Sequence, residues 1–281
     1  MNIWAKAAGI LESGAPCVMV EVTKAEGSTP REAGAKMLVT PRGYSGTIGG
    51  GTLEWHAMAE AQAMLGKPGI IRTMTRSLGP DLGQCCGGRV SLRLQSLTIA
   101  DMAQVKTMAE AELEDLTHLN LWGGGHVGRA LVLALAPLAF RITWWDQREG
   151  AFPAYVPENV ICRAGGLDGM KEGGLVLIMT HNHNLDFEIA DFALRQDHFF
   201  RVGMIGSDTK SVRFRKRLAA AGHNAEALER LVCPIGSKAI HSKLPPVIAA
   251  TVAVQLLEWQ QMLKTVEFPV AAPQHLDKVM S

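Results

Sequence analysis

Two cysteines stand side by side in LGQCCGGRV, Leu82–Val90, and two glycines follow at once. Vicinal Cys85 and Cys86 could bridge only through a strained small ring, so a structural staple is not their expected use. No C-x-x-C pair occurs in the chain, which argues against a structural zinc site. Two readings stay open. A thiolate in a glycine-rich loop can be approached closely, and Arg89, backbone N–H groups or a soft metal would stabilise its charge. Two half-buried cysteines ahead of a strand can equally act as small hydrophobes.

The second chemistry-bearing stretch is LNLWGGGHVGRALVLALAPLAFRITWWD. Gly123, Gly125 and Gly128 fit G-x-G-x-x-G between an expected strand and an expected helix, and Asp146 closes the next strand. Each part has a job: Gly123 for a tight turn, Gly125 for backbone approach to a phosphate, Gly128 for helix packing on strand. The helix N-terminus supplies N–H groups and partial positive charge. Asp146 can accept hydrogen bonds from a ribose or another polyol. A Rossmann-like unit is expected, with a phosphate-bearing ligand at the glycine loop. The alternative is a retained fold whose site has lost its ligand.

Four weaker signals accompany these. In TIGGGTLE the run around Gly50 could form a backbone nest for an anion, or be only a strand-to-helix turn with Thr52 as N-cap and Glu54 in the first turn. Upstream, GSTPREAGAKM offers Ser28, Thr29, Arg31 and Lys36 beside a rigidifying Pro30. THNHNLD places His181 and His183 after an expected strand, where lining a ligand cleft is a better reading than binding metal because no third ligand is evident. GMIGSDTK offers Gly206, Ser207 and Lys210 to polar groups. The basic run from Arg213 to Arg217 reads as a solvated helix face; of Trp144 and Trp145 one is expected to pack in the core, and for the other core packing is a better reading than stacking on a planar ring at the crevice.

The elements that must position these residues divide in two. Up to residue 97 helix and strand are mixed: a helix ending at Gly14, strands in CVMVEVT, AKMLVT and YSGTI about a Pro41–Gly43 turn, a helix after the glycine run, then strands IIRTMTRSL and RVSLRLQSL. This predicts an N-terminal α+β domain over 1–97. Residues 98–117 read as a helical linker. From 118 to 281, apolar strands HLNLW, RITWWD, NVIC, LVLIMT and FRVGMIG alternate with helices, and PPVIAATVAVQLLEWQQML closes the series. That alternation implies βαβ units, so the fold class is α/β, a doubly wound parallel sheet behind a smaller α+β domain.

Composition limits the partners. With 281 residues, a net charge of +1 and a sequence pI near 7.7, nothing suggests steering by nucleic acid. No apolar stretch reaches the roughly 20 residues of a spanning helix. The N-terminus lacks the run of a signal peptide, and five cysteines are an odd number for a disulfide framework, so a cytoplasmic location is expected.

Taken in order, EGSTPREAGAKMLVT, GTIGGGTLE, LGQCCGGRV, LWGGGHVG, THNHNLD, GMIGSDTK and VCPIG resemble the XdhC/CoxI family, accessory proteins of molybdenum hydroxylases such as xanthine dehydrogenase. The likeness spans nearly the whole chain. The segment before the last helix departs from it, since Pro245-Pro246 stands where the wider family often carries a Pro-Glu-Glu-like start. The resemblance implies a chaperone, not an enzyme, that binds the molybdenum cofactor (molybdopterin) while a cysteine desulfurase sulfurates it, then delivers it to a xanthine dehydrogenase-type apoenzyme. Cys86 matches the family's Cys-Gly-Gly cysteine and Cys85 is the extra one, and either could face the metal. Because the cysteine loop lies on the first domain and the glycine loop on the second, a cleft between the domains is expected to hold the cofactor. A homodimer is expected. The alternatives are an NAD-dependent oxidoreductase on the Rossmann half and a sulfurtransferase carrying a persulfide on Cys86.

Overall fold

The computed structural model describes residues 2–78, 87–170 and 173–265. They form two compact units that divide between Asp115 and Leu116.

The first unit is a five-stranded antiparallel sheet between helices. Its elements are α1 (Ile3–Glu12), β1 (Cys17–Glu26), β2 (Lys36–Thr40), β3 (Gly43–Gly46), α2 (Gly51–Met64), β4 (Ile71–Ser77), β5 (Arg89–Leu97) and α3 (Met102–Glu114), with strand order β3-β2-β1-β5-β4. The period of two along β1 explains the layering. Val18, Val20 and Val22 point to one face and pack with Leu53, Ala57 and Ala61 of α2. Cys17 and Met19 point to the other, with Ile3, Trp4 and Leu11 of α1 and Val105 of α3. Asn2 caps α1 by accepting from the Ala5 N–H at 2.8 Å, and its own amide donates to Ala109 O at 2.8 Å. Gly14, with φ of 80°, follows α1 in the left-handed conformation expected of it. The expected linker over 98–117 is corrected here: α3 buries Val105 and Ala109 against α1, so the segment as far as Asp115 belongs to the first unit, and Thr117 already opens β6 of the second.

The second unit is a six-stranded sheet, parallel throughout, of order β11-β10-β9-β6-β7-β8. Its elements are β6 (Thr117–Trp122), α4 (His126–Leu135), β7 (Phe140–Trp145), β8 (Val160–Arg163), β9 (Gly174–Ile178), α5 (His183–Leu194), β10 (Phe199–Met204), α6 (Asp208–Ala220), α7 (Ala225–Glu229), β11 (Leu231–Val232) and α8 (Pro245–Thr265). The central strands β6 and β9 are buried along their whole length, as a parallel sheet covered on both faces requires. Leu131 and Leu135 of α4 pack with Val252, Leu256 and Trp259 of α8 on one face. Ile189 and Ala193 of α5 pack with Phe214 and Leu218 of α6 on the other. Gln260 anchors α8 by donating to Thr117 Oγ1 at 3.0 Å and to Ala139 O at 2.6 Å. The chain leaves β6 towards β7 and later returns on the opposite side through β9, so the strand order reverses between β6 and β9. The doubly wound α/β architecture is therefore the observed one.

Candidate functional site

The carboxyl ends of β6 and β7 carry the glycine loop. Gly123 has φ of 117°, and a Cβ there would stand 2.4 Å from Met179 O, so no side chain fits between the ends of β6 and β9. A Cβ on Gly128 would stand 2.1 Å from Gly123 O, which fixes the close seat of α4 on the loop. Gly125 differs. It is the N-cap of α4 in extended conformation, and a Cβ there would meet nothing within 4 Å.

The carbonyls of this loop are all turned towards the protein. Gly123 O accepts from Trp144 Nε1 at 3.0 Å, Gly124 O from Arg129 Nε at 3.2 Å, and Gly125 O from the Arg129 N–H at 2.9 Å. No side chain among the described residues caps the first turn of α4. With acceptors facing in and α4 uncapped, the exposed rim of the loop is a donor surface at the positive end of a helix dipole. A recess of about 340 Å³ opens over it, walled by Gly124, Gly125, His126, Arg129 and Arg148, with Glu149 contributing a carboxylate.

Asp146 is engaged by the protein itself. Its side chain is 7 % exposed, and Oδ1 accepts from the backbone N–H and Nε of Arg148, both at 3.0 Å. Oδ2 accepts from Gly124 N at 2.7 Å and from Arg148 Nη2 at 2.8 Å. A carboxylate offers about four lone-pair positions, and these four bonds use them. Burial works against the charged form, yet the hydrogen bonds from Arg148 and Gly124 prevail and bring its pKa down to about 2. The ribose acceptor expected at this position is thus a brace for the loop. Arg148, which the sequence reading passed over, is 48 % exposed and presents the guanidinium to the recess. The only available signal was its place two residues after the strand-ending acid.

The tryptophans pack inside, the reading the sequence favours. Trp144 and Trp145 are both buried, and Trp145 stacks on Trp122 with ring centroids 5.4 Å apart. Neither side chain is left to stack on a ligand at the crevice.

Past β9, Thr180 Oγ1 donates to Asp186 Oδ1 at 2.6 Å, and Asp186 Oδ2 accepts from Lys210 Nζ at 2.7 Å. His183 is exposed as the first residue of α5, with Nδ1 3.9 Å from Asp186 Oδ2, while His181 is exposed in the turn before it. The helix begins earlier than the pattern predicts because Asn182 caps it, accepting from the N–H groups of Asn184 and Leu185.

In the first unit, the motif loops converge. A Cβ on Gly49 would stand 2.4 Å from Pro30 Cγ and 3.7 Å from Arg31 Cγ. A Cβ on Gly88 would stand 2.4 Å from Ser28 O and 2.6 Å from Glu26 O. Gly49 and Gly88 therefore both border the loop of Ser28 to Arg31, while Cys85 and Cys86 lie outside the described residues. The expected anion nest about Gly50 already holds a carboxylate. Glu54 accepts from the Thr47 hydroxyl and from Ile48 N at 2.9 Å. Burial opposes its charge, but bonds from Thr47 and from the N–H groups of Gly50, Ile48 and Gly49 hold it below the usual range. Gly50, not Thr52, is the N-cap of α2. Lys36 is engaged too, by Glu112 at 3.5 Å and Gly34 O at 3.2 Å. Burial pushes the described cysteines up: Cys17 to about 12 with Asp101 adding to it, Cys162, and Cys233 despite nearby Lys210. Among the described residues no group of three or more His, Cys, Asp or Glu is placed to hold a metal ion.

Fold and loop together define a protein whose chain runs from a smaller α+β unit into a Rossmann-type unit. Residues 10–74 match the family model described as the XdhC and CoxI family, and residues 119–256 match the XdhC Rossmann domain. The chain belongs to the XdhC and CoxI family. It is 30% identical over 270 residues to the uncharacterized protein YqeB of Escherichia coli (strain K12), matching 92% of this chain and 46% of that protein. It thus spans about half the length of the curated relative it matches. The crystal structure of a xanthine dehydrogenase from Bacillus halodurans superposes with a TM-score of 0.76 at 21% identity, over 96% of this chain and 98% of that one. That likeness is one of fold. No helix among the described residues is long and apolar enough to cross a membrane.

Proposed function

We propose that this protein is an accessory chaperone that binds the molybdenum cofactor as cargo, holds it during sulfuration, and passes it to a xanthine dehydrogenase-type apoenzyme. The observation that carries the reading is the glycine loop, with carbonyls turned inward, an uncapped α4 and Arg148 at the rim. Such a surface suits the phosphate of a pterin cargo. The open space at Gly125 lets that phosphate approach the backbone. Membership of the XdhC and CoxI family supports the accessory role, and the proposal adds as partners the apoenzyme and a cysteine desulfurase. The metal-facing group of the proposal is Cys86, next to the Gly87–Gly88 segment that meets Ser28. The molybdenum centre supplies the exchangeable oxo or sulfido ligand; the chain's own residues bind, orient and release. A homodimer working in the cytoplasm belongs to the same proposal.

The nicotinamide alternative loses its footing on Asp146, whose lone pairs are given to Gly124 and Arg148. The test is a titration of the purified protein with isolated molybdenum cofactor, read by absorbance and by reactivation of the apoenzyme, with NAD in parallel. Cofactor uptake without NAD uptake is the expected result. Uptake of NAD alone would reverse it. Cys86→Ala should retain the fold and lose delivery of sulfurated cofactor; full delivery would remove Cys86 from the site.

A further inference from the structure

We infer that the recess above the carboxyl ends of β9 and β10 is a second anion site, which takes a phosphate group independently of the glycine loop. This recess measures about 580 Å³ and is walled in part by Thr180, His183, Gly206, Ser207, Lys210 and Arg213. No Asp or Glu is among the described residues that wall it. Lys210 and Arg213 are the cations of the wall, and Ser207 and Thr209 are its hydroxyls not already given to a carboxylate, groups that suit a phosphoryl ligand.

The cation at its centre is fixed. Lys210 is 14 % exposed, and its Nζ donates to Asp186 Oδ2 at 2.7 Å and to Ile205 O at 3.0 Å. An ammonium has three N–H donors, and these bonds use two. Asp186 is 1 % exposed, also accepts from Thr180 at 2.6 Å and offsets the Lys210 charge, so Lys210 offers its third N–H while Arg213 supplies the net positive charge of the wall. Gly206 makes the arrangement possible. A Cβ there would fall 2.8 Å from Lys210 Cδ and 3.0 Å from Cys233 Sγ, displacing the lysine. The recess lies at the same carboxyl edge of the sheet as the glycine loop, on the other side of the β6–β9 switch. It does not depend on the cofactor proposal, and either can fail alone.

Inorganic phosphate titrated into isotope-labelled protein tests it, with amide resonances as the local reporters. Saturable shifts are expected at Gly206, Ser207 and Thr209, in the native chain and in Arg148→Ala alike. Arg213→Ala should weaken them by about tenfold, the loss of one charged hydrogen bond. Arg213 is exposed, so its replacement leaves the core untouched. Shifts confined to Gly124, Gly125 and His126 would overturn the inference, as would an unchanged affinity in Arg213→Ala or equal shifts with chloride at matched ionic strength. Adenosine monophosphate, run in parallel, should move the same amides, and the tighter of the two probes tells whether the group arrives free or as an ester.

Discussion

Arg148 grips Asp146 through three bonds, from its backbone N–H, Nε and Nη2, and Asp146 in turn holds the N–H of Gly124 at 2.7 Å. The acid that a dinucleotide-binding unit would offer to a ribose instead orients a cation over the glycine loop. Arg148→Ala should weaken binding of phosphate-bearing cargo about tenfold or more, while NAD binding stays undetectable; calorimetry with both ligands checks this.

The same pair predicts an acid-dependent loss of stability. The Asp146 pKa of about 2 lies below its unfolded value of about 3.9. Its contribution is complete above pH 4 and disappears as pH falls from about 4 towards 2. Because Arg148 is half exposed, the contribution is about 1–2 kcal/mol. Denaturant unfolding at pH 6 and pH 3 should show this difference shrink in Asp146→Asn.

Glycines of one motif should respond oppositely. Gly128→Ala forces a Cβ into Gly123 O and should cost about 1–3 kcal/mol of stability. Gly125→Val places its side chain in open space and should stay within about 1 kcal/mol while blocking a phosphate. Paired melting and binding measurements separate the two.

Removing Lys210 strands a buried carboxylate. Lys210→Met should cost about 3 kcal/mol or more, and adding Asp186→Asn should recover part of that loss. Chemical denaturation of the single and double variants gives the coupling.

Glu54→Gln should destabilise the first unit by about 1–3 kcal/mol, since it removes the charge that Thr47, Ile48, Gly49 and Gly50 solvate. Hydrogen exchange at those amides would rise.

The parallel unit was legible because its strands are long apolar runs and its glycines have steric jobs that spacing alone reveals. Small elements were not. β11 has two residues and α7 has five, too short to show a period. The role of α3 was misread because its polar, Ala- and Glu-rich surface hides two buried positions, Val105 and Ala109. Spacing showed that Asp146 was an acid after a strand. It could not show which donor reaches it, since Arg148 binds through side-chain geometry and not through periodicity. Likewise the Gly50 nest was visible as backbone, but not its resident, Glu54. The tryptophans follow the reading that large apolar rings after a buried strand pack inward, as Trp145 does onto Trp122.

The hook of Gln260 onto Thr117 and Ala139 ties the last described helix to the first strand of its unit. On a translating ribosome, the glycine loop can therefore be synthesised long before the layer that covers α4 has emerged. Until α8 arrives, Leu131 and Leu135 lack the part of their cover that Val252, Leu256 and Trp259 supply, so a chain cut short of α8 should be prone to clump.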